Sequence, residues 1–173
     1  FKMGIKNFLE NAGKHAVDGL IIPDLPIEEA GEYREIAEKQ GINTIFLATP
    51  STSISRLTDI LDFTSGFLYL VSVFGVTGTR DRIAQLTTQT IKRFRPYTVR
   101  TAPLAVGFGI SKPDHVSSVI SCGADGAIVG SAFVKIIEDN LDNSTRLMDE
   151  ISVFAQKLKA ATLRKAVEAQ PRE

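Results

Sequence analysis

The residues best placed for chemistry are two glycine clusters, Gly107-Phe108-Gly109 after the apolar run Pro103–Val106 and Gly130-Ser131 after Gly126–Val129. Glycine lets a backbone approach a ligand with no Cβ in the way, and each cluster opens a helical pattern. A helix N-terminus carries unpaired N–H groups and a partial positive charge of about half a unit. Two of them at one edge of a sheet form an anion pocket, and the natural anion is a phosphate. A single Gly-x-Gly is an ordinary α/β turn; a pair of clusters one βα unit apart carries the expectation.

The elements that must position these clusters repeat along the chain. Residues 4–16 read as a helix with Ile5, Phe8, Leu9 and Ala12 at helical spacing. A strand over 19–23 stops at Asp24-Leu25-Pro26, and a helix over about 27–40 follows, with Tyr33, Ile36 and Ala37 inward and Gly41 as its stop. A strand over 43–48 leads to a Ser/Thr cap and a helix face of Ile54, Leu57, Ile60 and Leu61. After the strand 66–72 comes a glycine-bracketed lid candidate over 75–82, then a helix with Ile83, Leu86, Ile91 and Phe94 inward. Residues 95–102 are expected to turn the chain back into the Pro103 strand. Ser111-Lys112-Pro113-Asp114 reads as a capping box, with Val116, Val119 and Ile120 inward and Gly123 as the stop. The Gly126 strand precedes a short helix over 131–137, and Leu147, Ile151, Phe154 and Leu158 mark a closing helix that should fray after about residue 165.

This is an α/β pattern of five strands, each followed by a helix, so every strand is expected to be parallel. In (β/α)8 TIM barrels a phosphate site recurs after strands seven and eight, its second part at the start of a short extra helix. The pattern therefore predicts a TIM barrel truncated to about the last five βα units, one partial domain over 1–173 equivalent to strands 4–8. A complete barrel takes about 250 residues. The opening on Phe1, directly on a helix, carries the expectation that an upstream part is lost or omitted. The rival is an open doubly wound sheet of five strands, though the first strand lacks a glycine-rich nucleotide loop.

Twenty basic and twenty acidic residues cancel, and no basic stripe alternates with aromatics, so neither nucleic acid nor an anionic membrane is an expected partner. Gly66 to Val76 is too short to span a bilayer and Phe1 to Glu10 lacks the plan of a secretory signal, which makes the cytoplasm the expected location. Cys122 reads as a small packing residue, His15 and His115 as solvent-facing, and no metal site is expected.

Four stretches resemble tryptophan synthase α subunits: Asp18 to Pro26 with Glu28-Glu29, Phe67 to Ser72 with Gly75-Val76-Thr77-Gly78, Val106 to Ser111, and Gly130 to Lys135. The resemblance implies a (β/α)8 barrel that splits indole-3-glycerol phosphate into indole and glyceraldehyde 3-phosphate by a retro-aldol reaction. It implies an α2β2 assembly with a β subunit that holds pyridoxal phosphate, the α subunit itself using no cofactor. Gly78, Gly109, Gly130 and Ser131 are then the phosphate-binding positions, Tyr69 lies near the reacting atoms as an accessory residue, Phe108 walls the indole pocket, Thr77 belongs to the lid, and Asp24 and Pro26 touch the β subunit. Val73-Phe74 departs from the polar or basic residue that many relatives carry there. The family's catalytic glutamate and aspartate come from the early barrel and have no counterpart in this sequence, so the chain alone is expected to be inactive. The alternatives are a non-catalytic partial barrel that binds phosphate or docks a partner, and another phosphate-binding barrel enzyme, against which the Pro23 to Pro26 and Gly75 to Gly78 motifs argue.

Overall fold

A computed structural model of the chain describes residues 2–72 and 80–163. The expectations for Val73-Phe74, Thr77, Gly78, the lid and the fraying tail lie outside the described residues or depend on them. Parallel strands alternate with helices. Helix α1 (Ile5–Lys14) precedes β1 (Gly19–Ile21); a 3-10 turn (Ile27–Glu29) and α2 (Gly31–Lys39) lead to β2 (Asn43–Ile45) and β3 (Leu47–Ala48). Then come α3 (Ile54–Phe63), β4 (Leu68–Val71), α4 (Arg80–Thr98), β5 (Leu104–Gly107), α5 (Pro113–Ser121), β6 (Gly126–Ala127), α6 (Ser131–Asp139) and α7 (Ser144–Ala160).

β2 and β3 are two parts of one extended segment. β2 pairs with β1 and β3 pairs with β4, while the intervening Phe46 carbonyl accepts the Tyr69 N–H at 3.0 Å. From β1 to β6 the strands therefore lie in chain order, each parallel to the next. A doubly wound sheet reverses its strand order at a switch point, whereas a barrel advances one strand at a time in one direction. The sheet is an arc of a (β/α)8 barrel, and the open-sheet rival is excluded.

Side chains alternate between the two faces of this arc. Phe46, Ala48, Leu68, Leu70, Leu104 and Val106 join Leu57, Ile91, Phe94, Val116 and Val119 of the helices in one core. Each fully buried aliphatic or aromatic side chain there contributes about 1.5–3 kcal/mol. Ile45 and Tyr69 are also buried, but they stand on the other face with Ile21, which is 42% exposed. One face is sealed by helices and the other is concave and partly open.

Five sequence expectations are corrected. The helix expected over 27–40 is two pieces, because Pro26 is extended (φ −74°, ψ 154°), one 3-10 turn follows, and α2 begins only at Gly31 after the buried Ala30. α4 runs through Pro96 to Thr98 instead of ending near residue 94. The N–H that Pro96 lacks would have bonded the carbonyl of Lys92, an exposed position in the last turns where solvent can serve that carbonyl. Leu86, expected inward, is 44% exposed; the inner stripe is Thr87, Thr90, Ile91, Phe94 and Thr98. Thr90 and Thr98 are tolerated there because their hydroxyls donate to the Leu86 and Arg95 carbonyls of the same helix at 2.7 and 3.3 Å. Finally, Ser111 does not cap α5. Lys112 is the N-cap without a side-chain bond, and the half-buried His115 is not solvent-facing: its Nδ1 accepts the Ser111 N–H at 3.4 Å, which puts the proton on Nε2. The expected Ser53 cap of α3 is present, accepting the Arg56 N–H at 3.2 Å. His15 is exposed and Cys122 packs half-buried against the core, as expected.

At the N-terminal ends of the strands, one Asp125 oxygen accepts both the Leu104 N–H at 2.9 Å and Arg95 Nη1 at 2.5 Å, tying β5, β6 and α4 together. Asp125→Ala should lower stability by about 1–2 kcal/mol, since it leaves a part-buried backbone donor and a cation unpaired. Thermal denaturation followed by circular dichroism reads this directly, and an unchanged midpoint would make the contact ornamental.

Candidate functional site

Phe108, Gly109, Gly130 and Ser131 follow the C-terminal ends of β5 and β6, and Tyr69 stands on β4 beside Phe108. Pairing sets Tyr69 opposite Ala105 and Val71 opposite Gly107. It sets Ala105 opposite Gly126 and Val106 opposite Ala127, and the Ile128 N–H extends the ladder to the Val106 carbonyl at 2.7 Å. The offset of 21 residues in that register is also the separation of Gly109 from Gly130. Both glycine clusters thus leave neighbouring strands at the same level.

Tyr69 lies over Gly107. A Cβ built on Gly107 would stand 2.1 Å from the Tyr69 hydroxyl oxygen and 2.5 Å from Cζ, so the ring occupies the volume that any side chain would need. The Tyr69 and Phe108 rings meet edge to face at 6.1 Å between centroids, with the planes at 67°. Phe108 itself is 60% exposed and has φ 66°, and Gly109 follows at φ 70°. Left-handed backbone costs a bulky residue about 1–2 kcal/mol, and glycine nothing. Buried Ser72 restrains this turn: its N–H donates to the Gly107 carbonyl at 2.8 Å and its hydroxyl donates to the Phe108 carbonyl.

Gly130 is the N-cap of α6 and lies in the open, as does Ser131. The Gly130 carbonyl accepts the Phe133 and Val134 N–H groups at 2.9 and 3.2 Å. Among the described residues no backbone acceptor takes the N–H of Ser131 or Ala132, the usual state of a helix start. Gly130 has φ −119°, and an added Cβ meets nothing within 4 Å. Neither its conformation nor packing against the described residues requires glycine here.

Asp24 and Pro26 lie apart from this cluster. Both are exposed in the loop after β1, beside a cleft lined by Ile22, Leu25, Phe46, Leu47 and Arg56. Arg56 on α3 clasps both oxygens of Glu28, with Nη2 to Oε2 at 2.8 Å, so Glu28 is an ion-pair residue and not a merely solvated face. The Arg56 guanidinium, with backbone N–H support, holds the Glu28 carboxyl down at about 2. Both partners are largely in solvent, so the pair fixes the position of the 3-10 turn more than it stabilises the fold. Among the described residues no group of three His, Cys, Asp or Glu is arranged to hold a metal ion.

The family model described as tryptophan synthase alpha chain matches residues 1–163. The chain belongs to the tryptophan synthase alpha chain family. It is 47% identical over 150 residues to the tryptophan synthase alpha chain of Methanocaldococcus jannaschii, a match covering 87% of this chain and 52% of that one. To the alpha chain of Methanococcus maripaludis strain C5 it is 48% identical over 158 residues, covering 91% and 60%. Among solved structures it is similar to the tryptophan synthase α2β2 complex of the hyperthermophile Pyrococcus furiosus, with a TM-score of 0.78, 40% identity, and coverage of 92% of this chain and 62% of that one. The chain spans roughly half to three-fifths of the length of the tryptophan synthase alpha chains it matches.

Sequence reasoning assigned no part to Gly107 as the seat of Tyr69, or to Ser72. The first needed the β4–β5 register and could not come from composition. The second had a faint signal, a serine closing an apolar strand.

Two outcomes check this geometry. Gly107→Ala should destabilise by about 1–3 kcal/mol through overpacking, and most of the loss should disappear when it is combined with Tyr69→Leu; strictly additive effects in a double-mutant cycle would separate the two residues. Burial raises the Tyr69 pKa above its ordinary value and pushes Tyr33 up to about 12. An unfolded tyrosine ionises near 10, so above about pH 10 the unfolded chain holds fewer protons than the folded one and stability falls as pH rises. Denaturant unfolding at a series of pH values should show this decline, and Tyr33→Phe should shrink it.

Proposed function

We propose that the chain forms the phosphate-holding side of a tryptophan synthase α subunit, a lyase that cleaves indole-3-glycerol phosphate to indole and glyceraldehyde 3-phosphate. The observation that carries this reading is the β5–β6 register, whose offset also separates Gly109 from Gly130, with the Ser131 and Ala132 N–H groups at the start of α6 taken by no described backbone acceptor. The amides of Gly109, Gly130 and Ser131, joined by Gly78, hold the phosphate by charge-assisted bonds. Phe108, exposed and edge-on to Tyr69, packs on the indole ring, and Thr77 belongs to the lid. Tyr69 stays protonated on the concave face and orients the glycerol chain.

The bond that breaks joins indole C3 to the carbon bearing the neighbouring hydroxyl. That hydroxyl loses its proton as it becomes the aldehyde, and indole C3 gains one. In this proposal the carboxyl that moves these protons, and the carboxylate that steadies positive charge at the indole nitrogen, come from the earlier part of the barrel. The paired carboxylates among the described residues are engaged elsewhere: Glu10 with Lys6, Glu28 with Arg56, Asp125 at the opposite strand ends, Asp139 with Lys135, and Glu150 with Arg146 and Asn140. The chain alone is therefore proposed to be inactive. Asp24 and Pro26 form the contact with the β subunit in an α2β2 assembly, a reading supported by the complex solved for Pyrococcus furiosus. No helix among the described residues is long and apolar enough to cross a membrane, and the proposed location is the cytoplasm.

Mixing the chain with a piece carrying the first three βα units of a relative should release indole from indole-3-glycerol phosphate, with none from the chain alone. Activity of the unmixed chain would overturn the proposed division of labour. Gly109→Val or Gly130→Val should each weaken glycerol 3-phosphate binding by about 1.5–3 kcal/mol per lost charged hydrogen bond. Gly130→Val is the cleaner arm because no described residue occupies that space. Calorimetry showing unchanged affinity in both variants would remove the phosphate pocket.

A further inference from the structure

We infer that Ser72 is a positioning residue that aims the Gly109 N–H into the phosphate site, an inference that rests on the function proposed above. Ser72 is 3% exposed, and its hydroxyl donates to the Phe108 carbonyl while its own N–H holds the Gly107 carbonyl at 2.8 Å. A trans peptide is planar, with its C=O and N–H pointing in opposite directions. The Phe108 carbonyl and the Gly109 N–H belong to one such unit. Drawing that carbonyl toward β4 therefore turns the Gly109 N–H away from β4, to the side where β6 and Gly130 lie. No described group accepts the Gly109 N–H.

The bond matters because the unit it holds is otherwise free to turn over. Gly109 has no Cβ, and Phe108 at φ 66° is already in a sparsely populated region, so rotation of the 108–109 peptide meets little steric resistance from its own residues. Such a flip would point a carbonyl, with its negative end, at the bound anion. The neighbouring restraint, Phe108 against Tyr69, holds the ring and not the peptide plane. Ser72 is the residue whose side chain fixes the sign of that dipole.

The test uses three variants of the full chain and nitrogen-15 NMR titration with glycerol 3-phosphate, with thermal melting run in parallel. Ser72→Cys keeps the shape and offers only a weak donor, Ser72→Ala removes the donor, and Ser72→Thr retains the hydroxyl. The wild-type Gly109 amide should shift on titration. Ser72→Ala and Ser72→Cys should bind about tenfold more weakly and lose that amide shift while melting cooperatively, and Ser72→Thr should recover it. Wild-type affinity in Ser72→Ala and Ser72→Cys would overturn the inference and leave the phosphate site standing. Binding lost only together with cooperative melting would overturn it as well, by showing a structural role alone. A wild-type chain whose Gly109 amide ignores glycerol 3-phosphate would overturn the site and the inference together.

Discussion

The close approach of Tyr69 to Gly107 is the contact on which the rest of the site depends. A tyrosine ring on one strand needs a neighbour without a side chain at the next diagonal position, and Gly107 supplies it; any Cβ there would fall inside the ring's own volume. The partner rows on that face are small as well, with Ala105 opposite Tyr69 and Gly126 opposite Ala105. Barrel interiors are filled by layers of side chains, so a large residue on one strand is matched by small ones beside it. The same ring then supports Phe108 where the chain leaves β5. One size match across a strand pair thus sets the ring position and the start of the glycine turn.

Much of the fold was legible because burial on the outer face of the arc is complete. Leu57, Ile60 and Leu61, or Val116, Val119 and Ile120, must be apolar to join that core, and helical spacing exposes them in the sequence. The strands read as short apolar runs for the same reason. What stayed hidden was decided by polar groups on buried faces. The inner stripe of α4 includes Thr87, Thr90 and Thr98, which hydrophobicity cannot distinguish from a solvated face. Pro96 inside a helix and the interruption at Phe46 depend on which backbone groups solvent or a neighbouring strand can serve, and no local pattern encodes that.

Candidate-site residues divide along the same line. Gly109, Gly130 and Ser131 stood out because backbone-made sites require residue types that are unusual at strand ends. Tyr69, taken without the family resemblance, looks like any strand core residue, and it is indeed 8% exposed. It differs from Leu68 and Leu70 in facing the concave side, where it lies outside the main apolar cluster. Facing direction follows from the alternation along β4, but which face is the ligand's follows only from where the helices pack.

The electrostatics of the chain give this geometry its weight. Twenty cationic and twenty anionic side chains leave no net field to draw an anion in from a distance. The ion pairs that the described residues form, Lys6 with Glu10, Glu28 with Arg56, Arg95 with Asp125, Lys135 with Asp139, and Arg146 with Glu150, hold loops and helices, and none includes a residue of the glycine clusters. At those clusters backbone dipoles supply attraction for an anion over a reach of about one helical turn. Over so short a range, direction counts as much as charge. An amide that faces the anion attracts it, and the same peptide turned over repels it. A site of this kind is therefore only as good as the contacts that fix its peptide planes, which makes the buried hydroxyl of Ser72 part of its electrostatics although it carries no charge.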